Sequence, residues 1–264
     1  MQGCKDIGVT RGNEHYTEAL QAALDAAHRA VRMAGSTTAC ICQLRGSTLV
    51  SANVGDSGFV VIRDGQIIHR TTPAQHFFDC PLQFGAYPEY VDGTDTAADA
   101  ELQTLEVCGG DVIVMASDGL WDNMYDDQLL ALVPRGVDDC ETGARRVAEA
   151  AHINALDPLY RSPYTRAAIA EGFDIPWWEK LFGLTFEDGA FKWGELRGGK
   201  IDDITVVAAV VHAGQITKTN GSKAHPTLPD DSDDSNVLSA RVWIDAWRAR
   251  QTATTPLDSQ DVFG

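Results

Sequence analysis

Three short acidic turns follow or precede apolar runs in this sequence, and carboxylates held at the rim of a β core are suited to gathering a cation. The strongest is Val112-Ile113-Val114-Met115-Ala116-Ser117-Asp118-Gly119-Leu120-Trp121-Asp122-Asn123. Its β-branched run reads as a buried strand, and Ser117, Gly119 and Asn123 are residue types that let a chain leave a strand sharply. Asp118 and Asp122 are four apart, so a helical turn places them on one side. Asn53-Val54-Gly55-Asp56-Ser57-Gly58 and Gly199-Lys200-Ile201-Asp202-Asp203 repeat the design with Asp56 and Asp202. Like charges brought together repel unless something positive lies between them, and an oxygen-only set favours Mg²⁺ or Mn²⁺ over softer metals. Taken alone, the Asp118 turn reads more simply as a turn Asp followed by a helix-capping Asp. The two further turns tip the reading toward a metal site: convergence of Asp56, Asp118, Asp122 and Asp202 would allow metal-assisted hydrolysis without a His or Ser nucleophile.

The elements that must position these turns are legible from periodicity. Residues 14–34 carry Ala19, Leu20, Ala23, Leu24, Ala27, Ala30 and Val31 at three- and four-residue spacings, an amphipathic helix ended by Gly35. Strands are predicted at 39–44, 48–54, 59–62 and 66–68, four in succession and antiparallel, with Asp64-Gly65 as the strongest hairpin turn. Residues 71–100 hold Pro73, Pro81 and Pro88 and read as a long surface loop. Helices are predicted over 128–133 and 141–155, a further helix starts at Ser162-Pro163, and Pro176-Trp177-Trp178 suggests an aromatic plug. Ile204–Val211 is a near-continuous apolar run, the pattern of a strand buried on both faces.

The expected organisation is a domain over 1–214, a disordered acidic linker over 215–236 with Asp230, Asp231, Asp233 and Asp234, and over 237–264 a short amphipathic helix bearing Trp243 and Trp247, followed by a polar tail. The 264 residues, 44% of them hydrophobic and 8% aromatic, suffice for a sizeable core and exclude disorder throughout. With 21 basic against 38 acidic residues the net charge is −17, which opposes long-range attraction to nucleic acid or anionic membrane. No apolar run reaches the length of a membrane span, so no membrane insertion is expected. Six cysteines without a CxxC pair lack zinc-ligand spacing and suit a reducing, intracellular setting, with Cys40 and Cys42 as small core residues on one strand face. No dinucleotide or P-loop pattern is present. Gly55-Asp56-Ser57-Gly58 with His28 echoes a serine protease, but the residues between them are too few for that fold.

At the acidic turns the chain resembles the metal-dependent protein phosphatase 2C (PPM) family. The similarity runs in order through Gly35-Ser36-Thr37-Thr38-Ala39, Asn53–Gly58, Ala116–Asn123 and Asp202-Asp203-Ile204-Thr205-Val206-Val207, over residues 14–212. Gln75–Pro81 and Arg161-Ser162-Pro163-Tyr164 look like its mitochondrial and plastid branch. The resemblance implies an α+β fold of two packed antiparallel β-sheets flanked by helices. It implies a serine/threonine phosphatase that acts on phosphorylated proteins with a metal-activated water. Asp118 and Asp202 would then serve a two-metal centre, and Asp56 with Asp118 and Asp122 a third, weaker ion. One departure stands out: the family's opening strands and Asp-Gly-x-Gly-Gly motif have no counterpart, since Asp6 does not fit and Asp64-Gly65, Asp92-Gly93 and Asp188-Gly189 lack the following Gly. The domain is therefore expected to be N-terminally incomplete, with strand edges and the apolar face of helix 14–34 exposed. An alternative follows, a catalytically impaired pseudophosphatase or truncated fragment that binds phosphoproteins.

Overall fold

The computed structural model describes residues 14–86, 94–174, 185–187, 190–192, 196–213 and 238–247. Helix α1 spans Glu14–Ala30. The predicted end at Gly35 comes too late, because Val31 N–H already donates to His28 O at 3.2 Å and closes the helix with a tightened turn. Strands β1 (Gly35–Thr37), β2 (Ala39–Arg45), β3 (Thr48–Val54), β4 (Gly58–Arg63) and β5 (Gln66–Arg70) follow. Short strands β6 (Gln75–Phe77), β7 (Cys80–Pro81) and β8 (Phe84–Ala86) lead to β9 (Glu101–Glu106) and β10 (Val112–Ala116). Next come α2 (Asp118–Trp121), α3 (Asp126–Leu132), α4 (Cys140–Leu156) and α5 (Pro163–Ala170). The chain continues through β11 (Thr185–Glu187), β12 (Ala190–Lys192), β13 (Ile204–Ala213) and β14 (Leu238–Trp247).

The four successive strands do form, but they do not make one meander. The β2–β3 hairpin belongs to a three-stranded sheet of order β2-β3-β9, and the β4–β5 hairpin to a five-stranded sheet of order β14-β13-β10-β4-β5. The Asp56 turn carries the chain from one sheet to the other. Gly55 there has φ +98°, and a Cβ on it would come within 2.3 Å of Thr38 Cγ2 and 2.7 Å of Leu82 O, so the crossing is too tight for any other residue. The sequence reading also overlooked β9. Its Leu102 faces the α1 side while Leu105 faces the other sheet, so the strand is apolar on both sides and lacks a clean alternation. The predicted loop over 71–100 is partly ordered by the β6–β7 and β1–β8 ladders and by a 3₁₀ turn at Ala97–Asp99, capped reciprocally by Thr96 and Asp99.

The layers run helix, sheet, sheet, helix. Leu20 and Leu24 of α1 cover Val50, Ala52 and Val54 on the outer face of the smaller sheet. The helix's apolar stripe is thus covered at those two residues rather than left bare as expected, though Val31 and Met33 beyond it are exposed. Between the sheets lie Leu49 and Leu105 against Phe59, Val61, Ile113 and Val211. On the far face, Val60, Val114, Val206 and Ala208 meet Leu129, Val147 and Ala151 from α3 and α4. Each fully buried large side chain in these interfaces contributes about 1.5–3 kcal/mol relative to exposure. The expected sandwich of two antiparallel sheets flanked by helices is therefore the observed architecture.

The tail segment corrects the sequence reading, because Leu238–Trp247 is a strand and not a helix. It pairs antiparallel with β13 along its whole length, from Leu238 opposite Ala213 to Trp247 opposite Ile204. Leu238 and Val242, or Trp243 and Trp247, are spaced for either structure. The alternation of Leu238, Ala240, Val242, Ile244 and Ala246 with more polar or aromatic residues decides for period two, and the ladder edge of β13 supplies the partner. The predicted linker 215–236 and the Trp177-Trp178 cluster lie outside the described residues. Cys40, Cys42 and Cys80 are free thiols as expected, whereas Cys108 is disulfide-bonded, contrary to the fully reduced reading. A chain ending at residue 214 is expected to melt lower and to self-associate, because ten residues of β13 become an unpaired edge. Calorimetry and light scattering check this; identical melting and mass would show that the β14 ladder adds nothing.

Candidate functional site

Strand β10 is flanked by β13 and β4, and its exit delivers Asp118 as the first residue of α2. Two contacts lock this exit to the start of β13. Ser117 Oγ donates to Asp203 O at 2.9 Å and accepts from Thr205 N–H at 3.0 Å. Gly119 lies so close that an added Cβ would stand 2.7 Å from Asp203 O, which brings the Asp118 and Asp202 turns into direct contact. Asp122 ends the same helical turn, its N–H donating to Asp118 O at 2.8 Å, so the two carboxylates share a side as their spacing predicted.

Buried Asn123 then clamps the third turn. Its Nδ2 donates to Lys200 O at 2.7 Å and to Gly119 O at 2.9 Å, and its Oδ1 accepts from Lys200 N–H at 2.8 Å. Asn123→Ala is expected to cost about 2–4 kcal/mol, since it removes a partner from the buried Gly119 carbonyl and from the half-buried amide and carbonyl of Lys200. Urea unfolding checks the loss, and a change below about 1 kcal/mol would remove Asn123 from this role.

The carboxylates converge on a side chain that the sequence reading did not single out. Lys200 Nζ lies 2.8 Å from Asp122 Oδ2, 3.0 Å from Asp118 Oδ2, 3.0 Å from Asp79 Oδ1 and 3.9 Å from Asp202 Oδ2. It also stands 4.9 Å above the ring of Tyr164, whose hydroxyl donates to Asp79 Oδ2 at 3.1 Å. Asp79 has φ +59°, a left-handed backbone that few non-glycine residues adopt and that tends to mark functional positions. Asp56 completes the group from the sheet-crossing turn, within electrostatic reach of Asp118, Lys200 and Asp79.

Charge in this cluster is poorly compensated. Burial, and then repulsion from Asp118, raises the carboxyls of Asp56 and Asp202 above the usual range. Asp122 is pushed up to about 6, mainly by burial, with Asp118 and Asp56 adding repulsion and Lys200 opposing it. A 2.8 Å ion pair would ordinarily pull a carboxyl down. Here one ammonium is shared among several carboxylates, so burial wins. For Lys200 burial alone would lower the ammonium, but the hydrogen bonds and charges of Asp122 and Asp118 outweigh it and hold it raised. The sign for stability follows, because the folded chain holds the Asp122 proton more tightly than the unfolded one. In EDTA, stability is expected to fall as pH rises from about 4 through about 6 more steeply than in Asp122→Asn. Parallel pH profiles of the two proteins would contradict the assignment.

Among the described residues no group of three or more His, Cys, Asp or Glu side chains is arranged to hold a metal ion as it stands. The reason is geometric: the carboxylates are spaced around an ammonium. The donor set itself fits a hard divalent cation, since Asp56, Asp79, Asp118, Asp122 and Asp202 offer only oxygens against the single charge of Lys200. Of the sequence-predicted residues, Asp118, Asp122 and Asp202 meet around one point and Asp56 flanks them. Asp79, Lys200, Asn123 and Tyr164 were missed. A basic residue two positions before Asp202, in the same Gly-bearing turn, was the available signal for Lys200.

A helix–sheet–sheet–helix sandwich with Asp-bearing turns gathered at the strand ends defines a class of proteins with a carboxylate-lined site. Within that class the chain belongs to the protein phosphatase 2C family. The family model described as PP2C, Protein phosphatase 2C, matches residues 11–79. Probable protein phosphatase 2C 26 of Arabidopsis thaliana is 39% identical over 189 residues, covering 71% of this chain and 58% of that protein. Protein phosphatase PTC7 homolog of Homo sapiens is 36% identical over 190 residues, covering 69% of this chain and 56% of that protein. The X-ray structure of the photosystem II phosphatase PBCP superposes with a TM-score of 0.64 at 36% identity, covering 75% of this chain and 73% of that one. The chain thus spans little more than half the length of the curated relatives it matches. No described helix is long and apolar enough to cross a membrane.

Proposed function

We propose that this chain carries the catalytic face of a metal-dependent phosphatase acting on phosphoserine and phosphothreonine in proteins, with Mg²⁺ or Mn²⁺ as the cofactor. The observation that supports it is the gathering of Asp79, Asp118, Asp122 and Asp202 within 3.9 Å of one cationic nitrogen. Five carboxylates with one ammonium would repel a phosphate monoester dianion, so a phosphate can be accepted only when divalent cations reverse the local charge. Asp118 and Asp202 are the ligands assigned to the principal ions, with Asp122 and Asp56 holding a further one. When bound, the cations would supply an activated water and polarise the phosphoryl oxygens. The chain's own residues orient the ligands: Asn123 fixes the loop carrying Asp202 and Lys200, and Ser117 fixes the Asp118 turn to it.

The acidic surface, part of a net charge of −17, favours substrates with basic or neutral residues around the phosphorylated position. Placement in mitochondria or plastids accompanies this reading. The test is release of inorganic phosphate from a phosphothreonine peptide by the 264-residue chain, with Mn²⁺ and with EDTA. Metal-dependent release is expected; none at saturating Mn²⁺ would end the proposal for this chain.

A further inference from the structure

The main chain at Lys200 is held on both sides, so whatever freedom this residue has lies in its side chain. Its N–H and C=O are both bonded to the Asn123 amide, at 2.8 and 2.7 Å. The preceding Gly199 is packed so tightly that a Cβ would fall 2.2 Å from Asn154 O and 2.4 Å from Ala155 Cα. From this fixed base a flexible four-carbon stem delivers the ammonium among the carboxylates, and the side chain as a whole is only 20% exposed. The oxygens it occupies, Asp118 Oδ2 and Asp122 Oδ2, are those a hard cation would need. An ammonium and a divalent cation cannot share them, because their mutual repulsion in a half-buried site is large and neither would keep its full set of oxygens.

We infer that Lys200 is a tethered counter-ion that partly offsets the charge of the cluster in the metal-free chain and must swing out when a divalent cation binds, so that it sets the affinity of the site. The inference rests on the metal-dependent reading above. Two features make the exit short. Asp79, at 41% side-chain exposure, is the outermost of the carboxylates that Lys200 touches, and the Tyr164 ring lies beside it. Rotation of the stem can therefore release Asp118 and Asp122 while the ammonium stays near Asp79 and the aromatic face. In the metal-free state the same side chain supports the fold, because buried carboxylates without a cation repel one another.

The test compares the whole chain with Lys200→Met, which keeps most of the stem and removes the charge. Calorimetric titration with Mn²⁺ is expected to show at least tenfold tighter binding in Lys200→Met. Its melting temperature in EDTA is expected to lie several degrees below wild type, and saturating Mn²⁺ should close the gap. Equal or weaker Mn²⁺ affinity in the variant overturns the inference and leaves the phosphatase reading standing. Failure of both proteins to bind Mn²⁺ overturns the two together. A second measurement covers the case of a variant that does not fold: the ¹⁵N–¹H signal of the Lys200 ammonium in the wild-type chain should be protected in EDTA and lose that protection as diamagnetic Mg²⁺ is added. A signal unchanged at saturating Mg²⁺ overturns the inference.

Discussion

Asp118→Ala is expected to lower kcat/KM for a phosphothreonine peptide at saturating Mn²⁺ on the order of 10³-fold, about 4 kcal/mol of transition-state stabilisation. The size follows from its position at the centre of the cluster. Repulsion from Asp118 raises the carboxyls of Asp56, Asp122 and Asp202 alike, so its charge reaches every other proposed ligand. Its Oδ1 is held by Gly119 N–H at 2.9 Å, which leaves Oδ2 as the oxygen turned to the site. Removing it should not unfold the protein, because the metal-free cluster then has one negative charge fewer to accommodate. Asp202→Ala should behave similarly. Asp203→Asn is the control, since that side chain is exposed and the Ser117 contact is to the backbone carbonyl of Asp203. Steady-state kinetics with melting curves on the same samples separate chemistry from folding. Asp118→Ala turning over within tenfold of wild type would refute the ligand assignment.

What the sequence showed of this site was its anions and not its cation. An Asp in a Gly-bearing turn after an apolar run is a local pattern, and three such turns could be read without knowing how the sheets pack. Asp79 and Lys200 join the cluster through a left-handed loop and a flexible side chain, and neither leaves a periodic trace. The same division applies to the fold. β2 to β5, β10, β13, α3 and α4 were legible because each buries a face or a stripe with its own period. β9, apolar on both sides, and β14, whose Trp and Leu spacings suit a helix equally well, required knowledge of the partner strand. Repulsion among the carboxylates of the three acidic turns was legible from the sequence, and it contributes to the raised carboxyl pKa values. Burial proved the larger cause, a quantity that depends on the packed structure and cannot be read from spacing.

The largest expected loss of stability lies at the other end of β10, at Asp111. Its carboxylate is 1% exposed and accepts Arg63 Nε at 2.8 Å and Nη2 at 2.7 Å in a bidentate pair, with Cys108 N–H at 2.8 Å as a third donor. Arg63 Nη2 also donates to Glu106 O at 3.2 Å, so the pair links β4 of the larger sheet to β9 of the smaller one. The Asp111 backbone extends the junction, its carbonyl accepting Val211 N–H at 2.8 Å. Asp111→Ala takes the carboxylate from the Cys108 amide and from a largely buried guanidinium that still donates to Glu106 O, a defect that costs about 3–5 kcal/mol. For a domain of this size that corresponds to a fall in melting temperature of roughly 10 °C. A buried ion pair replaced whole by apolar groups loses much less, so Arg63→Met with Asp111→Leu is expected to be more stable than Asp111→Ala. Because the five residues of β10 separate Asp111 from the acidic cluster by about 17 Å, kcat/KM measured well below the melting temperature should stay within about twofold of wild type. A stability loss under about 1 kcal/mol in Asp111→Ala would show that the pair does not join the two sheets energetically.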